Sequence, residues 1–182
     1  FVVRARVTLL RDLGAALAPD NAFGIIQGLE TVALRMKQHC SNAEKTVEYL
    51  SNHENVARVI YPTKHGGEIG NRAKKYLKGG NGALVGIELK GGIEAGKKFI
   101  EALKMFYHVA NIGDTKSLAI HPATTTHSQL NEKELLASGV TPGYVRLSIG
   151  IEHIDDIIED LKQALQRTSD NVENINTAKA VG

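Results

Sequence analysis

Cysteine occurs once in the 182 residues, at Cys40, so no internal disulfide can form. That scarcity points to a reducing compartment, the cytoplasm. Cys40 follows His39 in a helical pattern. Helix neighbours do not face each other, so the two make neither a metal site nor a catalytic couple. No apolar run approaches the roughly 20 residues a membrane-crossing helix needs, and the opening residues lack the charged-then-apolar pattern of a secretory signal. No basic run is present either. Lysine and arginine number 22 against 20 acidic residues, a net charge of +2, so nucleic acid is not an expected partner. No HExxH motif or other paired spacing joins His39, His53, His65, His108, His121, His127 and His153 into a metal site. There is no GxSxG elbow. The glycine-rich KGGNGALVG (Lys78 to Gly86) lacks the GxxxxGK[ST] order of a phosphate loop and leads into a strand, which makes it a turn.

What is present is the composition of a globular chain, 42% hydrophobic and 23% charged. The length allows one domain, or one domain and a piece of another. The chain opens on Phe1 with Val2, Val3, Val7, Leu9 and Leu10 already apolar, as expected of a piece of something longer. A short helix is expected from about Ala5 to Ala16, ending near Gly14. After Pro19, Asp20 or Asn21 can cap a second helix, Gly28 marks a break, and Thr31 can cap a third that ends at Asn52 and His53. Strands and helices then alternate. Strands are expected at Val56–Ile60, Ala83–Leu89, Tyr107–Ala110, Ser117–Ile120 and Val145–Glu152. Helices are expected at Glu68–Leu77, Glu94–Leu103, from Asn131 to Gly139, and over the Ile154, Ile157, Ile158, Leu161, Leu165 stripe. Asn131 with Glu134 three residues on has the spacing of a capping box. This is an α/β pattern, a small sheet with helices on at least one face.

The stretch from Asn111 to Glu152 carries the most chemistry. In VRLSIGIE, strand alternation puts Val145, Leu147, Ile149 and Ile151 on one face and Arg146, Ser148 and Gly150 on the other. A guanidinium held rigidly beside small residues leaves room for a ligand, and its planar fork matches a carboxylate. The same spacing also suits an ordinary exposed arginine on an edge strand. His121 and His127 flank the threonine turn of HPATTTHS, where they either line a site or fix the turn. In KGGIEAGKKF (Lys90 to Phe99) two glycines precede a helix, as in an anion-binding turn or a plain strand-to-helix turn. Lys64 and Lys116 each follow a threonine, the local look of a Schiff-base lysine, and neither setting supports that role.

Three blocks together resemble a known family: LRDLGAALAPDNAFGIIQGLETVALRMKQHCSNA (Leu10 to Ala43), NIGDTKSLAIHPATTTHSQL (Asn111 to Leu130) and VRLSIGIEHIDDIIEDL (Val145 to Leu161). In this order they are similar to the Cys/Met metabolism enzymes that use pyridoxal 5'-phosphate (PLP), of fold type I. Within that family the GDTKSLAIHPATTTHSQL wording is closest to O-acetylhomoserine sulfhydrylases. Relatives that handle cystathionine tend to carry an acidic residue where Lys116 stands.

The resemblance implies a C-terminal part of such a transferase, inactive alone. Residues 1–34 would be a remnant of the large PLP-binding domain, residues 35–168 the small C-terminal domain with a mostly antiparallel sheet and helices on one face, and residues 169–182 a mobile tail. Arg146 would bind the substrate's α-carboxylate, Ser117 would sit near it, and Thr126 would line the pocket. The Schiff-base lysine and the cofactor contacts would precede Phe1. The substrates would be O-acetylhomoserine and sulfide in methionine and cysteine biosynthesis, and the full protein a cytoplasmic homotetramer. The alternatives are a cystathionine γ-synthase or γ-lyase fragment, a non-enzymatic module that binds a small carboxylate, or a unit whose role is self-association.

Overall fold

The computed structural model describes residues 1–169; beyond Ser169, the expected mobile tail lies outside the described residues. They form two compact units, Phe1–Arg35 and the part from Met36 on. In the first, a single turn α1 (Val2–Arg4) runs into a π-helical stretch, Ala5–Asp12. The helix expected from Ala5 to Ala16 is therefore wound wider and stops earlier, with Gly14 at φ 72° beyond its end. Helix α2 spans Pro19–Glu30 and is entered from Ala18 rather than from Asp20 or Asn21. Proline suits the first helical position, where its missing N–H has no partner to lose and its φ is already helical. The break falls at Thr31, not Gly28, and α3 follows over Val32–Ser51. No residue of this unit is buried. Phe23, Ile25, Ile26 and Leu29 of α2 are all exposed.

The second unit is built on a five-stranded sheet in the order β1-β2-β5-β4-β3. The strands are β1 (Val56–Ile60), β2 (Leu84–Leu89), β3 (Tyr107–His108), β4 (Leu118–Ile120) and β5 (Tyr144–Ser148). All neighbours are antiparallel except β3 and β4. Helix α4 (Gly67–Tyr76) follows β1, α5 (Gly92–Ala102) links β2 to β3, α6 (Glu132–Ala137) precedes β5, and α7 (Ile154–Ser169) closes the described chain. Gly91 and Gly92, at φ 100° and 62°, make the turn into α5 that few other residues could make.

The register puts Val85 opposite Leu147 and Ile87 opposite Val145. With Ala119 these residues form one apolar face. Ala95 and Phe99 of α5, Ile157, Leu161 and Leu165 of α7, and Ala43, Val47 and Leu50 of α3 join them in a single core. Each buried aliphatic side chain of this size contributes roughly 1.5–3 kcal/mol of transfer free energy. This is the expected α/β arrangement, a mostly antiparallel sheet, with the core helices α3, α5 and α7 on one face and α4 bordering the other.

Two polar joints lock the helices. Asp160 of α7 accepts the backbone N–H groups of Lys104 and Met105 at 2.9 and 2.8 Å and of Phe106 at 3.2 Å. Gln163, one turn on, donates to the Ala102 carbonyl at the end of α5. At α6 the capping box is present: Glu134 N–H donates to Asn131 Oδ1, and Asn131 N–H to Glu134 Oε2.

Candidate functional site

The face of the sheet turned away from the core carries the chemistry. Strand β5 lies in the middle of the sheet, between β2 and β4. Arg146 is therefore not an edge-strand arginine. It stands opposite Gly86 of β2 and Ile120 of β4, with Ile60 of β1 next in the same row. Gly86 matters by what it lacks. A Cβ there would lie 2.8 Å from Tyr144 Cε2, so the tyrosine ring lies over the glycine. A groove of about 520 Å³ opens here, with Ile60, Leu84, Tyr144 and Arg146 on the sheet side and Ile69 and Arg72 of α4 on the other. Arg72 is held by Glu68 one turn before it.

Arg146 is half-buried. Among the described residues it pairs with no carboxylate, and its one hydrogen bond is a long one, 3.3 Å from Nη2 to the Asn111 carbonyl. A partly desolvated guanidinium with unused donors is poised for an anionic partner. The segment around Asn111 is held to the same face by Ser148, whose hydroxyl accepts Gly113 N–H at 3.1 Å. Tyr144 has its hydroxyl pKa raised, first by burial and then by the Glu88 charge, against the opposing pull of Arg146.

The strand itself is shorter than Val145–Glu152, ending at Ser148. Its exit, Ile149 to Glu152, is shaped by side chains far away in sequence. His39 Nδ1 meets the Ile149 carbonyl at 2.6 Å. Asn42 Nδ2 donates to the carbonyls of Gly150 and Glu152 at 3.1 and 2.8 Å. Glu152 in turn takes both donors of Ser117: the backbone N–H on Oε1 at 2.7 Å and the hydroxyl on Oε2 at 2.9 Å. Ser117 Oγ also accepts Gly150 N–H at 2.8 Å. Ser117 is fully enclosed, with its hydroxyl spent on these partners rather than turned toward Arg146. Thr126 is exposed, its hydroxyl 2.8 Å from His127 Nδ1, and is not among the residues lining the Arg146 groove. Glu152, Asn42 and His39 were missed by sequence reasoning. Their partners lie more than 30 residues away, or more than 100, so no local pattern marks them.

The histidines at the threonine turn divide. His121 is buried, with Nε2 2.8 Å from the Pro142 carbonyl and Nδ1 2.9 Å from Thr124 Oγ1. A carbonyl can only accept, so Nε2 carries a proton and the ring acts as a turn-fixing strut. Burial, chiefly, lowers its pKa. Gly96 of α5 packs against it so closely that a Cβ there would lie 2.4 Å from Nε2. Among the described residues no cluster of three or more histidine, cysteine, aspartate or glutamate side chains could hold a metal ion.

A Schiff-base lysine needs a neutral amine near pH 7, which enclosure provides. No described lysine is buried. Lys64 is exposed in a short 3₁₀ turn, and Lys116 is exposed with Nζ 3.0 Å from Tyr107 Oη and 4.5 Å from the ring centre. That hydrogen bond raises the Lys116 pKa, the wrong direction for such a role. The described residues therefore do not by themselves fit PLP. No helix is long and apolar enough to cross a membrane among them.

Comparison with known proteins shows what the chain is similar to. The family model for Cys/Met metabolism PLP-dependent enzymes matches residues 2–166. An O-acetyl-L-homoserine sulfhydrylase of Leptospira meyeri is 53% identical over 167 residues, 91% of this chain and 38% of that protein. An L-methionine gamma-lyase of Fusobacterium nucleatum is 46% identical over 162 residues, 87% of this chain and 40% of that protein. A crystal structure from Campylobacter jejuni, described as an O-acetylhomoserine (thiol)-lyase with a pyridoxyl-lysine phosphate, matches with a TM-score of 0.82 and 47% identity over 90% of this chain and 39% of its own. The chain thus spans about two-fifths of the length of the proteins it matches. With the family model matched over nearly the whole chain, the chain belongs to the Cys/Met metabolism family of PLP-dependent enzymes.

Proposed function

We propose that this chain is the C-terminal part of a PLP-dependent O-acetylhomoserine sulfhydrylase, and that it supplies the wall that grips the amino acid's α-carboxylate. The observation that carries the reading is Arg146: central in the sheet, half-buried in a mostly apolar groove, and without a carboxylate partner among the described residues. Its fork would take the carboxylate with two parallel hydrogen bonds, exchanging the long contact to Asn111 for charge-assisted ones. Bound in the full protein, PLP would supply the electron sink for exchanging acetate for sulfide at Cγ. This chain's share is orientation of the substrate. Thr126 is proposed as a rim residue, and Ser117 as a support behind the carboxylate site. O-acetylhomoserine and sulfide are the proposed substrates, a homotetramer the proposed assembly, and the cytoplasm the proposed location. The 182-residue chain alone is expected to be inactive.

The lyase relative keeps a second reading in view, a γ-lyase acting on a related amino acid through the same arginine. Lys116 favours the sulfhydrylase over enzymes that handle cystathionine. In the full-length protein, Arg146→Ala should weaken binding of the amino acid by roughly 2 kcal/mol, as for loss of a charged hydrogen-bond partner. Equilibrium titration with O-acetylhomoserine and with methionine measures this and ranks the two readings. Unchanged affinity in the variant removes Arg146 from the site. Tight binding by the 182-residue chain on its own would favour a non-enzymatic carboxylate module instead.

A further inference from the structure

The exit of β5 and the entry of β4 are stapled together by one carboxylate. Glu152 uses one oxygen for Ser117 N–H and the other for Ser117 Oγ–H. The same hydroxyl receives Gly150 N–H, so the residue before β4 and the loop after β5 share three hydrogen bonds. The approach is close enough to require glycine at position 150, where a Cβ would fall 2.5 Å from the Thr115 carbonyl oxygen and 2.6 Å from Ser117 N. From the other side Asn42 binds the carbonyls of Gly150 and Glu152. These contacts lie just beyond the rungs that pair Leu118 with Ser148 and Ile120 with Arg146. Neither Glu152 nor Asn42 is among the residues lining the Arg146 groove.

We propose that Glu152 is a positioning residue for substrate binding: by clamping Ser117 and the β5 exit it fixes the register that aims Arg146 into its groove. The inference rests on the carboxylate reading of Arg146. Its physical basis is that a bidentate pair tolerates little displacement, and a shift of about 1 Å in an orienting group costs far more than the same shift in a solvated one. A clamp with two acceptors on one rigid carboxylate holds the strand pair in a way one hydrogen bond cannot.

The test uses the full-length protein and reads amino-acid affinity by equilibrium titration, saturated turnover, and thermal midpoint. Glu152→Ala should weaken affinity about tenfold and lower saturated turnover with it, since a displaced Arg146 both binds and orients the substrate less well. Glu152→Gln should recover most of the affinity, because its carbonyl can still accept Ser117 N–H and its amide can donate to Ser117 Oγ. On an Arg146→Ala background, Glu152→Ala should add nothing further to the loss of affinity. Asp160→Asn, which breaks a comparable buried clamp on the helix layer, should lower the midpoint and leave affinity unchanged. If Glu152→Ala does not accumulate as folded protein, Asn42→Ala takes its place with the same expectations. Full affinity in the clamp variant, or an equal loss with and without Arg146, overturns the role of Glu152. An unaltered Arg146→Ala protein overturns the carboxylate reading itself, a separate result.

Discussion

The two faces of β5 are made by alternate residues of one short strand, and they do different work. Val145, Leu147 and the adjoining Ile149 are wholly enclosed among aliphatic side chains of the sheet and helices. Tyr144, Arg146 and Ser148 face the other way, beside a glycine, a groove and a loop. On the first face shape decides: each side chain fills space, and its value is that of apolar surface removed from water. On the second face room decides. Gly86 leaves a gap that Tyr144 covers, and Arg146 keeps donors unspent. On the proposed reading of Arg146, stability and binding are thereby separated by a translation of one residue along the chain.

That separation can be broken by a pair of substitutions. Leu147→Ala leaves a cavity at the centre of the core and should cost about 3 kcal/mol of stability, within the usual span for buried leucine, read as a drop in the urea midpoint. Amino-acid affinity of the folded fraction should hold. Arg146→Ala should do the reverse, with a loss of roughly 2 kcal/mol in amino-acid binding and a urea midpoint close to that of the unaltered protein. If both variants lose stability alike, the faces are not independent.

The sequence made the first face legible and left much of the second dark. The period-two pattern of VRLSIG identifies the apolar side of β5, and the stripe from Ile154 to Leu165 identifies α7, because both patterns are local and repeat. Asn131 with Glu134 is legible for the same reason: a capping box is complete within four residues. The sequence puts the cap of α2 at Asp20 or Asn21, after Pro19, whereas Pro19 is the first residue of the helix, a local rule one step off. The early end of β5 was not legible. It depends on Asn42 and Ser117, which no window around Ile151 contains. The position of β5 between β2 and β4 was not legible either, so Arg146 could be read as central or as an edge residue until the strand order was known. Arg146 stands out from the strand pattern as a fork for a carboxylate, with the resemblance agreeing, while Ser117 comes from resemblance alone. The enclosure of Ser117 by Glu152 came only from the fold.

A second comparison, between the two carboxylate clamps, sharpens the first. Asp160 gathers three backbone N–H groups at the junction of α5 and β3, where nothing faces the groove. Asparagine in its place turns an amide N–H₂ toward donors that need an acceptor. Asp160→Asn should therefore cost about 1.5 kcal/mol, the scale of a buried donor left unpaired, seen as a lower urea midpoint. Hydrogen exchange at Lys104, Met105 and Phe106 should quicken in the same variant. Protection unchanged at those three amides would mean that the carboxylate does not hold them in solution.

The smallest effect expected is one of pH, and it belongs to His121. Its ring is buried between the Pro142 carbonyl, Thr124 and Gly96, and its pKa is lowered first by that burial, with the Lys97 and His108 charges acting in the same sense. The Pro142 hydrogen bond and the Glu88 charge oppose the shift without reversing it. The unfolded chain, with an ordinary histidine near pH 6.5, binds a proton in acid more readily than the folded one. Below about pH 6.5 protonation therefore favours unfolding, and the stability that His121 contributes is present above that pH and lost as the pH falls. The urea midpoint should decline from pH 7.5 to pH 5. His121→Gln can still donate to the Pro142 carbonyl but does not titrate, so the decline should be shallower in that variant. An identical slope in the two proteins would assign the pH dependence to other groups and leave His121 as a strut alone.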